Sequence, residues 1–286
     1  MADYTEHYLT TGALPQSMVL STPSAHVAPQ RRELLARKAA QLEAHATAPQ
    51  RVHFAPDMQL TELGMQFDVI VVDPPWAEVA TSGEAIWTAQ DLARLDVNGI
   101  GAYPGVLFLW CGSGGTYDGV HSHFDEACDL VATWWAKVQD VNERSGHGLV
   151  RRSKELCLLA LRDHVWRDTS GHFVHANVDA DVVIAPTTAG RAKPAAFYEV
   201  VERFCLGRRR LDVFGSTARN GWVTLDRFAD ASCVFDAQSY EAELVRTAAN
   251  PETPFALGVD NDIEMLRPKA PQRLTKGTKT ATKKKS

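Results

Sequence analysis

Two kinds of hydrophobic pattern alternate along this chain, and together they predict an α/β fold. Short apolar runs, several of them rich in β-branched residues, indicate strands buried in a largely parallel sheet. They lie at residues 67–72, 106–110, 131–138, 156–161, 182–184, 210–214 and 222–225. Helix-forming segments lie at residues 31–46, 88–95 and 193–204. This alternation predicts a three-layer sandwich with a mostly parallel, twisted sheet flanked by helices.

Two helix boundaries can be placed from local signals. Thr88 is a candidate N-cap before Asp91. Gly207 is the expected C′ residue after the helix at 193–204, because glycine readily adopts the left-handed conformation that ends a helix. One apolar face of that helix is formed by Phe197, Val200, Val201 and Phe204.

The same patterns divide the chain into four segments. Residues 1–30 show no sustained periodicity and are expected to form a flexible N-terminal arm. Residues 31–226 form the α/β domain with its leading helix. Residues 227–266 are expected to be an irregular extension that wraps this domain. Residues 267–286 are a polar, basic tail that we expect to be disordered.

Bulk composition narrows the class of protein. The 286 residues are 45% hydrophobic and 23% charged, which is ordinary for a soluble globular protein. No apolar run approaches the roughly 20 residues of a membrane span, and no secretory signal is visible. The five cysteines have neither CxxC nor zinc spacing, which predicts reduced thiols in a cytosolic or nuclear protein and no metal site.

The net charge of −5 hides a strong asymmetry. The tail at 267–286 carries eight Lys or Arg and no acid, and it ends in Lys283, Lys284 and Lys285. The remaining residues carry 22 basic and 35 acidic side chains. Such a tail can bind nucleic acid by counterion release or direct nuclear import, and the alternative is a solubilising terminus without a partner. We expect a nuclear protein.

Asp73, Pro74, Pro75 and Trp76 follow the strand at 67–72 directly. Ligands of open α/β sheets bind beyond the carboxyl ends of strands. The Asp73 carboxylate and a proline-adjacent carbonyl could accept both N–H groups of an exocyclic amine, while the Trp76 ring stacks on the base. The alternative is a strand-ending turn followed by a core tryptophan.

Other candidate residues are less specific. Phe214 and Gly215 end a strand where a nucleoside-type cofactor could approach the backbone, and Lys193 starts a helix where it could meet an anion. Two basic patches could bind phosphate or pair with acids across a subunit interface. These are Arg151 with Arg152, and Arg208 with Arg209 and Arg210.

Beyond these motifs, long stretches resemble a known family. They lie at residues 107–114, 173–179, 204–211 and 263–269. The chain resembles, over about 30–270, the adenine-N6 methyltransferases with an Asp-Pro-Pro-Trp motif, whose best-known members form the heterodimer that writes N6-methyladenosine in messenger RNA. It is most similar to the branch of the methyltransferase-like fourteen subunit, the RNA-binding and allosteric partner.

The resemblance implies a permuted Rossmann-like fold that uses S-adenosylmethionine. By this similarity, Asp73 and Pro74 orient the target amine and Trp76 stacks on it. Lys193 matches a lysine that lines the active site, and Arg219 matches an arginine important for RNA binding in the partner branch. Asp57 is the candidate for a cofactor-contacting aspartate.

The motif and the surrounding chain point to different branches. The partner branch usually carries Glu-Pro-Pro-Leu, so the motif at 73–76 is the catalytic form, yet residues 77–87 follow the partner pattern. Ser216 stands where the catalytic branch has a cofactor-contacting arginine, and residues 225–227 replace a cofactor-contacting Gly-Asn-Gln stretch.

Two functions follow from this conflict. The first is a subunit of an adenine-N6 methyltransferase heterodimer with its own active pocket, which acts on adenine in RNA or DNA. The alternative is a non-catalytic, nucleic-acid-binding scaffold that activates a catalytic partner. Independent catalysis requires an open, nucleoside-sized pocket between Asp73, Trp76, Lys193 and Phe214.

Overall fold

The computed structural model describes residues 19–20, 29–76, 85–112, 155–162, 182–185 and 192–267. Several sequence-based predictions therefore lie wholly or largely outside the described residues. These are the arm at 1–30, the run at 131–138, Arg151 and Arg152, and the tail with Lys283, Lys284 and Lys285. Among the described residues, no helix has the length and apolar character needed to cross a lipid bilayer.

The described chain alternates strands and helices as the hydrophobic pattern predicts. The strands are β1 (Val19–Leu20), β2 (Gln50–His53), β3 (Phe67–Val72), β4 (Gly101–Trp110), β5 (Cys157–Arg162), β6 (Val183–Ile184), β7 (Arg210–Val213) and β8 (Val223–Asp226). The helices are α1 (Pro29–Ala44), α2 (Ala89–Ala93), α3 (Val97–Ile100), α4 (Ala195–Phe204), α5 (Ala237–Arg246) and α6 (Asn261–Leu266), with a 3₁₀ turn at Leu60–Leu63.

Six strands form one sheet in the order β2-β8-β7-β3-β4-β5. The first five are parallel, and β5 pairs antiparallel to β4 at one edge. The mostly parallel α/β architecture is thus confirmed. Strand β3 continues to β4 on one side, whereas the adjacent β7 continues to β8 on the other. The strand order therefore reverses between β3 and β7, the place where such sheets bind ligands.

Two hydrophobic cores cover the two faces of this sheet. The side chains alternate along β3, so Ile70 and Val72 enter one core and Val69 and Val71 the other. The first core includes Tyr240 of α5 and the second includes Val201 of α4. All six β3 residues are buried, which explains why five of them are apolar, and the sixth, Asp68, is paired with Arg209.

The predicted start of α2 is confirmed at atomic detail. The Thr88 hydroxyl accepts the Asp91 backbone N–H, and the Asp91 carboxylate accepts the Thr88 backbone N–H. This reciprocal capping box satisfies donors that the first helical turn leaves unpaired.

The predicted end of α4 is wrong. The helix ends at Phe204 and its C-cap is Cys205 in an extended conformation, so Gly207 is not a helix C′ residue. A Cβ at Gly207 would lie 2.2 Å from the Asp68 Cβ. Glycine is required there because the Asp68 side chain occupies the space of a Cβ, and the sequence pattern does not distinguish that reason from a helix cap.

The segment expected to be irregular instead contributes helices α5 and α6. Tyr240 and Leu244 of α5 are fully buried in the first core. Helix α6 packs against α1, and the Arg37 guanidinium pairs with the Asp262 carboxylate at 2.6 Å. The extension therefore completes the core of the domain and contacts its leading helix.

Candidate functional site at the carboxyl ends of β3 and β7

The point between β3 and β7 where the strand order of the sheet reverses brings together residues that are far apart in sequence. Asp73 follows β3 directly, and Phe214 follows β7 on the neighbouring strand. The Lys193 ammonium, just before α4, lies 3.0 Å from the Asp73 carboxylate. Of the residues predicted at this site, Asp73 and Lys193 therefore meet.

The Lys193 ammonium is held by two carboxylates and an aromatic ring. It donates a 2.8 Å hydrogen bond to the Glu155 carboxylate and lies 4.8 Å from the centre of the Trp110 ring. Burial lowers the pKa of Lys193, but the nearby carboxylates of Asp73 and Glu155 outweigh it, and the net pKa lies above the ordinary lysine value. Lys193 is thus a permanent cation next to the Asp73 carboxylate.

Trp76 does not present an exposed ring face in this structure, and its role as a stacking residue stays a prediction. Its side chain is fully buried and belongs to the first core. The indole Nε1–H donates a 2.8 Å hydrogen bond to the Trp110 carbonyl. The proline-adjacent carbonyls are also engaged, because Pro74 accepts the Trp76 N–H and Pro75 accepts the Trp87 N–H. The turn therefore folds the indole inward, as a core tryptophan would require.

Three aromatic side chains, those of Phe54, Trp87 and Phe214, pack against one another in the first core, which also contains Trp76. The Phe214 ring centre lies 4.8 Å from that of Trp87 and 5.1 Å from that of Phe54. The exposed fractions of these three side chains are between 1% and 8%. We call Phe54, Trp76, Trp87 and Phe214 the aromatic plug. In the described part of the chain, Trp76 and Phe214, two of the four residues that would line an open catalytic pocket, are instead buried in the first core.

Gly215 is packed closely against protein side chains, whereas Asp57 is exposed to solvent. A Cβ at Gly215 would lie 2.4 Å from the Asp212 carboxylate and 2.6 Å from a Thr224 methyl group. Close packing against these side chains, rather than approach of a ligand, thus requires glycine there. Asp57 lies exposed in the turn after β2, and its role as a cofactor ligand stays a prediction.

Asp212 is a buried acid that the sequence analysis did not select. It is 1% exposed and accepts a 2.9 Å hydrogen bond from the Tyr198 hydroxyl. Burial raises the pKa of Asp212 to about 7. The only sequence signal was an acid inside an otherwise apolar strand, Leu211-Asp212-Val213-Phe214. The Arg219 guanidinium lies 3.9 Å from the Tyr198 ring centre, which joins Arg219 to this buried pair.

Asp212→Asn is expected to stabilise the chain at alkaline pH. The folded state holds the Asp212 proton more tightly than the unfolded state, so wild type loses stability as the pH rises from about 4 to 7. Asparagine does not titrate and has no such loss. At pH 8 the free energy of unfolding of the variant should therefore exceed that of wild type by up to about 4 kcal/mol. Urea unfolding near pH 4 and pH 8 measures this difference. Equal pH profiles for the two proteins would contradict the buried, protonated acid, and exposed Asp230→Asn is the control.

Two of the predicted nucleic-acid ligands differ in exposure, because Arg208 is buried and Arg219 is partly exposed. Arg208 is 3% exposed, and its guanidinium donates to the carbonyls of His45 and Leu244. Its N–H groups are used inside the protein, so the structure supports a structural role for Arg208, and its role in binding nucleic acid stays an untested prediction. Arg219 is partly exposed beside Tyr198 and stays a candidate.

Comparison with known proteins gives consistent matches. The model of the MT-A70 family matches residues 67–227. The N(6)-adenosine-methyltransferase non-catalytic subunit METTL14 of Xenopus tropicalis is 34% identical over 94% of this chain and 62% of its own length. The METTL14 protein of Drosophila melanogaster is 33% identical, over 94% and 72%. The non-catalytic subunit MTB of Arabidopsis thaliana is 32% identical, over 64% and 26%. The chain thus spans less than two thirds of the Xenopus relative.

Proposed function

This chain belongs to the MT-A70 family, and from that premise we propose that it is a non-catalytic subunit of an N6-adenosine methyltransferase complex. In this proposal it supports a separate catalytic subunit of the same family and helps to hold the RNA substrate. The single observation that carries the non-catalytic assignment is the aromatic plug at the carboxyl ends of β3 and β7.

The aromatic plug argues against S-adenosylmethionine binding by this chain. A cofactor at the carboxyl ends of these strands would have to displace side chains of which Trp76 is fully buried and Phe54 is 1% exposed. Each aromatic side chain buries about 150–250 Å² of surface, so expelling even one carries a large free-energy cost. The described residues therefore do not fit the cofactor, and the complex would take its methyl group from S-adenosylmethionine held by the partner.

Asp73 then has a structural task in place of a catalytic one. Its carboxylate and that of Glu155 hold the Lys193 ammonium between the end of β3, the beginning of β5 and the beginning of α4. A buried cation with two carboxylate partners is costly to disrupt, because removal of one partner leaves uncompensated charge. We propose that this ion pair fixes α4 against the sheet.

The substrate and the partner follow from the names of the relatives. Each is described as a non-catalytic subunit of an N6-adenosine methyltransferase, which supports a catalytic partner and adenosine as the target, and we propose a heterodimer that acts on adenosine in RNA. We propose that Arg219, Arg151, Arg152 and the basic tail contact the phosphate backbone. We propose nuclear localisation on the basis of the basic tail.

Asp73→Asn tests the assignment, because asparagine keeps the shape of the side chain and removes its charge. The chain is co-purified with a catalytic MT-A70 subunit, and transfer of labelled methyl groups to RNA is measured. We expect Asp73→Asn to lower the stability of the chain but to leave the rate of the assembled complex within about threefold of wild type, since general acid–base or orienting residues are worth about 100-fold or more. The isolated chain should bind no labelled S-adenosylmethionine.

The matched control is the same substitution in the motif of the catalytic subunit, which should abolish transfer. If the isolated chain binds S-adenosylmethionine and Asp73→Asn stops transfer in the complex, this chain is the enzyme and the proposal is wrong. If Arg219→Ala reduces RNA binding while the heterodimer stays assembled, the nucleic-acid part of the proposal is supported.

A further inference from the structure

A buried cationic cluster lies beneath α1, away from the aromatic plug. Lys38 of α1 is fully buried, and Arg210 at the start of β7 is 4% exposed. Burial is the largest cause that lowers the pKa of Lys38 to about 7, and the positive charge of Arg210 is the second. Lysine and arginine are almost never fully buried without a compensating partner.

Neither cation has an acidic partner within ion-pair distance among the described residues. The Lys38 ammonium donates one hydrogen bond, 2.8 Å long, to the amide oxygen of Gln41. The buried Nε and Nη2 atoms of Arg210 have no hydrogen-bond partner in the described part of the chain. These two adjacent N–H donors form the edge of the guanidinium that binds anions.

The surroundings explain why a small ligand suits this place. Gly221 leaves room for the arginine, since a Cβ there would lie 3.1 Å from the Arg210 Nη1. Burial and, after it, the Asp68 carboxylate raise the pKa of the Cys205 thiol to about 12 against the smaller lowering by Arg210 and Lys38, so the thiol stays uncharged. A buried donor left unsatisfied costs about 1–3 kcal/mol, more when charged, so an acceptor at this point would be strongly favoured.

We propose that Lys38 and the Nε and Nη2 atoms of Arg210 bind a small inorganic anion of chloride size. The anion accepts from both cations and replaces the repulsion between them with attraction to a shared negative charge. Because α1 carries Lys38 and the sheet carries Arg210, the bound anion connects the leading helix to the domain. The site is independent of the assignment made for the aromatic plug.

Thermal unfolding of the full chain in chloride and in gluconate, at equal ionic strength, tests the site. Gluconate is too large to enter a fully buried space. With chloride about tenfold above its Kd, the folded-to-unfolded ratio should rise about 11-fold and the Tm by about 3 °C. The effect should fade as the pH rises above about 7, where Lys38 loses its charge. Arg210, Cys205, Asp260 and Glu264 are the other groups that act on Lys38.

Lys38→Met should abolish the chloride effect and, in gluconate, should be at least as stable as wild type because it removes a buried cation. Arg32→Met, an exposed position on the same helix, should keep the full effect. Crystals of the wild-type chain soaked in bromide should show an anomalous peak at Arg210, which needs no variant. Equal chloride responses in wild type and Lys38→Met, or water alone at Arg210, would overturn the proposal.

Discussion

Arg208→Met is expected to lower the free energy of unfolding by about 3–5 kcal/mol, because it leaves a set of buried acceptors unpaired. The Arg208 guanidinium donates to the carbonyls of His45 at 2.7 Å and Leu244 at 2.8 Å. It also donates to the Pro254 carbonyl and the Thr247 hydroxyl. These acceptors belong to three separate segments, so one side chain connects the end of α1, the end of α5 and the loop before α6.

Urea unfolding followed by tryptophan fluorescence measures the effect. Arg246→Met is the matched control, since Arg246 lies on α5, which also carries the Leu244 carbonyl that Arg208 contacts, but the Arg246 side chain is 72% exposed. Surface changes of that kind usually alter stability by less than about 0.5 kcal/mol. If Arg208→Met were within 1 kcal/mol of wild type and weakened RNA binding instead, Arg208 would be a nucleic-acid ligand after all.

Trp76→Ala is expected to destabilise the chain by about 3–5 kcal/mol, the usual cost of removing a large buried aromatic side chain. The loss combines the cavity left in the first core with the unpaired Trp110 carbonyl. Trp76→Phe should recover most of the packing but not the hydrogen bond, and its cost should be nearer 1–2 kcal/mol. Chemical denaturation of both variants gives the two free energies.

The control is Phe228→Ala, an aromatic side chain that is 68% exposed, for which we expect almost no change in stability. The two variants separate the two roles considered for Trp76. A stacking residue would be dispensable for folding and required for adenine recognition. Wild-type stability with lost RNA methylation in the Trp76→Ala complex would therefore contradict the aromatic plug.

Local sequence rules predicted much of the fold. The apolar run of β3 identifies a strand buried on both faces, and the Thr88 and Asp91 pair identifies a capping box. Both are decided by residues within one element, so neighbouring sequence is sufficient. The helical extension was less visible, since α5 and α6 are short and gain stability mainly from packing against the rest of the domain.

The site was predicted in location but not in chemistry. The ends of β3 and β7 were expected to bind a ligand, and the structure brings Asp73 and Lys193 together there. Yet whether a tryptophan after two prolines is buried or exposed depends on the side chains that surround it in the folded chain. The Phe54, Trp87 and Phe214 side chains come from segments up to about 160 residues apart, and no local pattern records their meeting.

The sequence alone determined the α/β class, the MT-A70-type motif at 73–76 and the basic character of the tail. Those properties depend on periodicity, on residue identity at fixed spacing and on charge, which are all written along the chain. The tertiary structure alone decided that Trp76 and Arg208 lie inside, that Asp212 is a buried acid and that the side chains of the aromatic plug are buried in one core. Burial and hydrogen-bond partners depend on contacts between distant segments, and these contacts separate a catalytic-type motif from a working catalytic pocket.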